Sequence, residues 1–234
     1  MDLIPAQYYY DVYLVMVTLL SFSCLTFYNG RDVSLSLNVN QENKKAFRLF
    51  FIFAIFVGVR PISEYFADMT QYYGIYTRWS GSFTFNWDVE NLLYDNQMMW
   101  FANIRLEPVI YYLYIAFIYF GGMYVACRKM FPGNAYAALL VCLVAFSTFG
   151  AGTNGIKAGS AASLFLIALA YRDNLKICIP FVLLSYGFHH SMQVPIAAMV
   201  ATLFYNKKPK YYIYFWIFCF ILSALHISYF QLLF

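Results

Sequence analysis

The sequence predicts an all-α fold, a polytopic membrane helix bundle of about eight spans, on three observations. Of 234 residues, 62% are hydrophobic and 11% charged, where a soluble domain carries about 25% charged residues. Apolar runs recur along the chain, each closed by charge, Gly or Pro. The few charges are sorted by sign into alternate loops. This composition excludes an ordinary soluble domain, a disordered chain and collagen. A nucleic-acid partner has no support either, because 15 Lys and Arg against 11 Asp and Glu is a mild excess.

The candidate spans cover approximately residues 8–27, 46–59, 108–127, 135–149, 155–171, 175–188, 193–205 and 211–230, in one domain over 1–234. The first, third and last are of full spanning length. The second, fourth, sixth and seventh are short, which is the pattern of tilted, broken or re-entrant segments. Asp2 and no Lys or Arg precede the first span, so it lacks the basic leader of a cleaved signal and is expected to remain as an anchor.

Cytoplasmic loops collect Lys and Arg. Counted round alternate loops, one side receives eleven of the basic residues, including Arg31, Lys44, Lys45, Arg48, Arg128, Lys129, Arg172, Lys176, Lys207, Lys208 and Lys210. The other receives Arg60, Arg78, Arg105 and Lys157. The acidic residues Asp32, Glu42 and Asp173 fall on the first side and the rest on the second. The expected topology is therefore both termini extracytoplasmic, with residues 60–107 forming an extracytoplasmic loop that carries an amphipathic segment.

Four polar constellations share that second side. Arg60-Pro61 ends the second span and is followed by Glu64, Asp68, Tyr72 and Tyr73. Two roles fit Arg60: a snorkelling anchor, or a planar fork for phosphate, which its position on the acidic side favours. The stretch 78–103 interleaves Trp79, Phe83, Phe85, Trp87, Trp100 and Phe101 with Asp88, Glu90, Asp95 and Asn96. Such residues furnish either a sugar-stacking surface or an interfacial aromatic belt, and 88–99 reads as an amphipathic helix at the interface.

The third constellation is Thr153-Asn154-Gly155-Ile156-Lys157. Asn154 and Lys157, three apart, would share a face if a helix started here. Gly155, Gly159 and Ser163 form a small-residue stripe suited to close helix packing. A Lys at the entry of a span is costly in lipid and belongs against a wet cavity. The fourth is His189-His190-Ser191, where an imidazole can act as base near neutral pH or hold an anion, against the plainer role of a structural histidine. His226 in the last span stands alone and reads as structural.

Cys24, Cys127, Cys142, Cys178 and Cys219 lie in or at the ends of apolar runs without metal-ligand spacing, and read as packing residues rather than disulfides or ligands. The sequence has no P-loop, GxGxxG, GxSxG or HExxH pattern.

Together these residues resemble the EpsG family of Wzy-like exopolysaccharide, capsule and O-antigen polymerases. The likeness lies in Gly58-Val59-Arg60-Pro61 with Asp68 and Tyr72, in Thr153-Asn154-Gly155-Ile156-Lys157 followed by Ala161-Ala162-Ser163-Leu164, and in His189-His190-Ser191. The family carries Arg where this chain has Lys157 and a polar residue where it has Ala158. It also continues for several helices beyond the length seen here, so a short member or a fragment is expected.

The resemblance implies a glycosyltransfer without metal or cofactor at the outer face of a bacterial inner membrane. Repeat units carried on undecaprenyl pyrophosphate would be joined, alongside a flippase and a chain-length regulator of the same pathway. Arg60 and Lys157 would hold the pyrophosphate, Asn154 would position it, Asp68 or His189 would take the proton, and Tyr72, Glu90 and His190 would contact glycan or pyrophosphate. A lipid-glycan transporter or flippase, a non-catalytic scaffold and a membrane O-acyltransferase are the alternative readings. A transporter is disfavoured because the charges lie at span ends and no internal repeat is visible.

Overall fold

A computed structural model describes residues 4–28, 39–79, 82–202 and 210–225. Asp2, Arg31, Asp32, Lys207, Lys208 and His226 lie outside the described residues. All regular structure within them is helical: α1 (Tyr9–Tyr28), α2 (Val39–Gly58), α3 (Met69–Arg78), α4 (Leu92–Asn103), α5 (Pro108–Met130), α6 (Ala135–Val144), α7 (Phe146–Thr153), α8 (Ile156–Ala170), α9 (Leu175–Phe188), α10 (Gln193–Thr202) and α11 (Lys210–Leu225). The chain forms two compact units, 1–190 and 191–234.

In the first unit α5 is the central helix, packed between α2 and α8, and α8 packs in turn on α9. Its 23 residues suffice for a bilayer, and Pro108 at its first turn removes an amide hydrogen that would have no partner there. The close packing rests on glycine. A Cβ on Gly122 would lie 2.8 Å from the Ser163 carbonyl oxygen of α8, and one on Gly159 would lie 2.5 Å from the Ala151 carbonyl of α7. The small-residue stripe thus serves two neighbours: Gly159 faces α7 and Ser163 faces α5. Gly122→Ala is expected to lower stability by about 1–3 kcal/mol through overpacking, despite the better helix propensity of Ala. The fall in unfolding temperature in detergent measures it.

The expected all-helical membrane bundle is what the chain forms. Among the described residues, two helices, Ala6–Thr26 and Pro108–Met130, are long and apolar enough to cross a membrane. The pair α6 and α7 makes a third span broken by a 77° bend. The other apolar helices are shorter; α8, at 15 residues, reaches about 22 Å against a hydrocarbon core of about 30 Å. The count of about eight therefore rests on helices short of spanning, with α10 reaching only about 15 Å, and on α2, whose first half is polar.

The broken span shows how an apolar interior tolerates a bend. Ala145 is extended, so carbonyls of α6 lose their helical partners. The Tyr13 hydroxyl donates to the Leu143 carbonyl and the Thr148 hydroxyl to that of Cys142. Tyr119 donates to the Thr148 carbonyl at 3.1 Å. The bend carries α7 toward the α8 entry, where the chain breaks again at Asn154. Asn154 follows the last residue of α7 and Gly155 precedes α8, so Asn154 and Lys157 do not share one helix as the spacing suggested.

Residues 88–99 also differ from expectation. The helix starts at Leu92 and, instead of lying free at an interface, docks on α9 and buries Tyr94, Asp95, Asn96 and Met98. Asn96 ties down the preceding loop, accepting from the Asn86 amide at 2.8 Å and donating to the Asn86 and Leu92 carbonyls at 2.8 and 2.7 Å. Phe85, Trp87 and Trp100 remain exposed. Cys127 and Cys142 meet across α5 and α6 as free thiols with sulfurs 3.8 Å apart. The second unit contains α10 and α11, and there Cys219 is exposed rather than packed.

Candidate active site

The polar residues gather at one end of the first unit, where α2, α7 and α9 end and α4 and α8 begin. Lys157 stands in the first turn of α8, where the helix dipole disfavours a cation and no side chain caps the amides. Its position is compensated by Asp95, whose Oδ1 lies 2.8 Å from the Lys157 Nζ. The ammonium also sits over the rings of Tyr94 and Tyr72, at 5.1 and 5.5 Å from their centroids. Both side chains of the ion pair are mostly buried, at 19% and 13% exposure, so each depends on the other for charge compensation.

The network runs on from Asp95. Its Oδ2 accepts from the Asn91 amide at 3.1 Å, and the Asn91 side-chain oxygen accepts from the His190 amide at 3.3 Å. His190 Nδ1 lies 3.4 Å from Glu90 Oε1. The His189 and His190 rings stack with centroids 4.8 Å apart. Gly187 permits the junction, since a Cβ there would strike the Leu93 side chain at 2.6 Å and push α4 away from the end of α9.

Arg60 is buried, at 1% exposure, and directs its guanidinium into the protein. Nη1 donates to the Val57 carbonyl at 2.7 Å and Nη2 to the Thr153 carbonyl at 2.9 Å. The group lies between the rings of Tyr112 and Phe66, 5.5 and 5.6 Å from their centroids. Burial lowers its pKa to about 10, against the opposing influence of Tyr112, Tyr94 and Tyr9, so it remains a cation at neutral pH. Arg60 thereby clamps the end of α2 to the end of α7, beside Asn154.

Of the predicted site residues, Lys157, Tyr72, Glu90, His189 and His190 converge. Asn154 lies next to the carbonyl that Arg60 holds. Asp68 is exposed at the start of α3, and among the described residues its carboxylate makes no hydrogen bond or ion pair. Burial, with Asp68 and Asp95 as lesser causes, pushes Tyr72 up to about 12, so its hydroxyl stays a donor. The His189 pKa is lowered by burial first, then by His190 and Lys157, which leaves a neutral imidazole at neutral pH.

Asn91 is not among the residues the sequence points to, and Asp95 appears there only as one carboxylate of the aromatic stretch. The available signal was an Asn followed four residues on by an acid at a helix start, one residue longer than the usual capping box. Among the described residues, Arg60 Nε and Asn154 Oδ1 are buried side-chain atoms without hydrogen-bond partners. Unsatisfied buried polar groups mark a place that a polar ligand could complete.

The class defined by fold and site is a helical membrane protein with a cationic, histidine-bearing cluster at one end of its bundle. A sequence model of the EpsG family matches residues 45–234, and the chain belongs to that family. It is accordingly a membrane polysaccharide polymerase-like protein. No curated protein and no solved structure matches the chain.

Proposed function

We propose that this chain joins oligosaccharide repeat units carried on undecaprenyl pyrophosphate, at the outer face of a bacterial inner membrane and with both termini on that face. The observation that carries the reading is the compensated cation at the α8 entry. Lys157, held by Asp95 and two tyrosine rings beside uncapped helix amides, suits an incoming pyrophosphate. The lipid tail would lie along apolar helix surface. Glu90, His190 and the exposed Phe85 and Trp87 offer polar and stacking contacts to the glycan.

In the reaction, an acceptor sugar hydroxyl forms a bond to the donor anomeric carbon while the bond from that carbon to the phosphate oxygen breaks. The electron pair leaves with the lipid pyrophosphate, whose charge Lys157 and the α8 amides stabilise. The hydroxyl proton passes to neutral His189. Among the two proton acceptors read from the sequence, His189 is favoured because it is partly buried against the network, whereas Asp68 is exposed at the start of α3 and reaches the network only through Tyr72. Arg60 acts as a positioning residue through the Thr153–Asn154 turn.

The test is the protein reconstituted with lipid-pyrophosphate-linked repeat units, scored by polymer ladder and released polyprenyl pyrophosphate. Absence of both products from folded protein would overturn the reading. The active form of His189 is unprotonated, so the rate is expected to fall as pH drops through a pKa below the ordinary value of about 6.5. His189→Gln should slow the reaction and flatten this acid limb, whereas Asp68→Asn should keep both rate and limb.

A further inference from the structure

The opposite end of the first unit carries a second constellation. A cleft of about 490 Å³ lies between the start of α2 and the end of α5, with Lys44, Arg48 and Arg128 in its wall. Among the described residues, none that line it is acidic. The nearest acid on α2, Glu42, is buried and holds Lys45 at 3.0 Å. Among the described residues, the three cations thus face an open cleft with no carboxylate in its lining. Asn43 adds a buried side-chain oxygen with no hydrogen-bond partner among the described residues.

The cleft continues into apolar surface. Phe47, Phe51 and Ile55 recur every fourth residue along α2, with Val59 just past its end, and all are exposed, at 48%, 43%, 38% and 46%. The stripe is about 18 Å long at 1.5 Å per residue, comparable to an acyl chain. Phe47 and Phe51 stack, and Phe51 meets Phe117 of α5 at 5.6 Å. A sign-pure basic cleft heading an exposed aromatic stripe has the chemistry of a phospholipid: phosphate at the cations, hydrocarbon along the helix.

We propose that this cleft is a binding site for one anionic phospholipid, its phosphate held by Lys44, Arg48 and Arg128 and an acyl chain lying along Phe47, Phe51 and Ile55. A headgroup hydroxyl, as in phosphatidylglycerol, would donate to the Asn43 oxygen. The site is separate from the cluster around Lys157 and does not depend on the reaction proposed there.

Delipidated full-length protein titrated with phosphatidylglycerol, read by native mass spectrometry and by thermal shift, tests it. One lipid should be retained and should raise the unfolding temperature, while phosphatidylcholine does neither. Each cation removed should weaken retention roughly fivefold, so Arg48→Gln/Arg128→Gln should weaken it about 25-fold. Lys44→Gln, at an exposed position, should weaken it about fivefold and serves if the double variant does not fold. Lys129→Gln/Lys176→Gln removes two charges from the same end of the bundle but outside the cleft, and should leave retention unchanged. Equal retention of phosphatidylcholine, or equal loss in the Lys129/Lys176 variant, overturns the site in favour of general surface attraction. Displacement by millimolar inorganic phosphate overturns it in favour of a small-anion site.

Discussion

Alanine at Lys157 is expected to reduce polymer formation about 10²–10³-fold, the loss typical of removing one preorganised group that stabilises charge developing in a transition state. The expectation follows from geometry. Lys157 is the cation at the start of α8, and its ammonium is already desolvated by Tyr72 and Tyr94. An incoming pyrophosphate would meet it without the reorganisation that a fully hydrated side chain requires. Lys157→Arg should retain more activity than Lys157→Ala because it keeps the charge and its fork can still pair with Asp95.

Loss of activity in Lys157→Ala alone would leave two explanations, because it also strands Asp95 as a buried charge, at a cost of about 3–5 kcal/mol. The double variant Asp95→Asn/Lys157→Gln separates them. With both charges gone the fold is relieved and the unfolding temperature should return toward that of the parent. If Lys157 meets the pyrophosphate, polymer stays absent. Polymer restored in the double variant would make the pair a structural tie, and the proposed role of Lys157 would fall.

Much of this arrangement was legible in the sequence because it is a matter of ends. Few charges break a strongly apolar chain, so sorting them by loop separates Arg60, Lys157 and His189 from Lys44, Arg48, Arg128 and Lys176. The helices place these two sets at opposite ends of the first unit. What the pattern could not supply was the partner of each charge. Asp95 was one of several carboxylates in an aromatic stretch, and its pairing with Lys157 joins residues 62 positions apart. Whether Arg60 faces out or in depends on where the Thr153 carbonyl lies, and that is set by the bend at Ala145. The bend is itself poorly encoded: 135–149 reads as one apolar run because Ala145 is neither Gly nor Pro, and its freed carbonyls at Cys142 and Leu143 are satisfied by hydroxyls from α7 and α1.

Arg60→Ala is expected to lose both stability and activity. The wild-type guanidinium makes two hydrogen bonds from a charged donor, each contributing about 1.5–3 kcal/mol. Removing it leaves the Val57 and Thr153 carbonyls without that partner. Relief from burying a cation with no carboxylate in ion-pair range, among the described residues, offsets part of this, so the net loss is placed at about 2–4 kcal/mol. Arg60→Lys keeps a charge but can span the two carbonyls only as a point donor, and should fall between. The clamp and the phosphate-fork roles then part on one comparison. A clamp predicts that unfolding temperature and polymer yield fall together across Arg60→Lys and Arg60→Ala. It also predicts that affinity for a lipid-pyrophosphate donor is largely kept in whatever fraction remains folded. A phosphate fork predicts the reverse, an unchanged unfolding temperature with donor affinity lost. The burial of Arg60 and the commitment of both Nη atoms to backbone carbonyls favour the clamp.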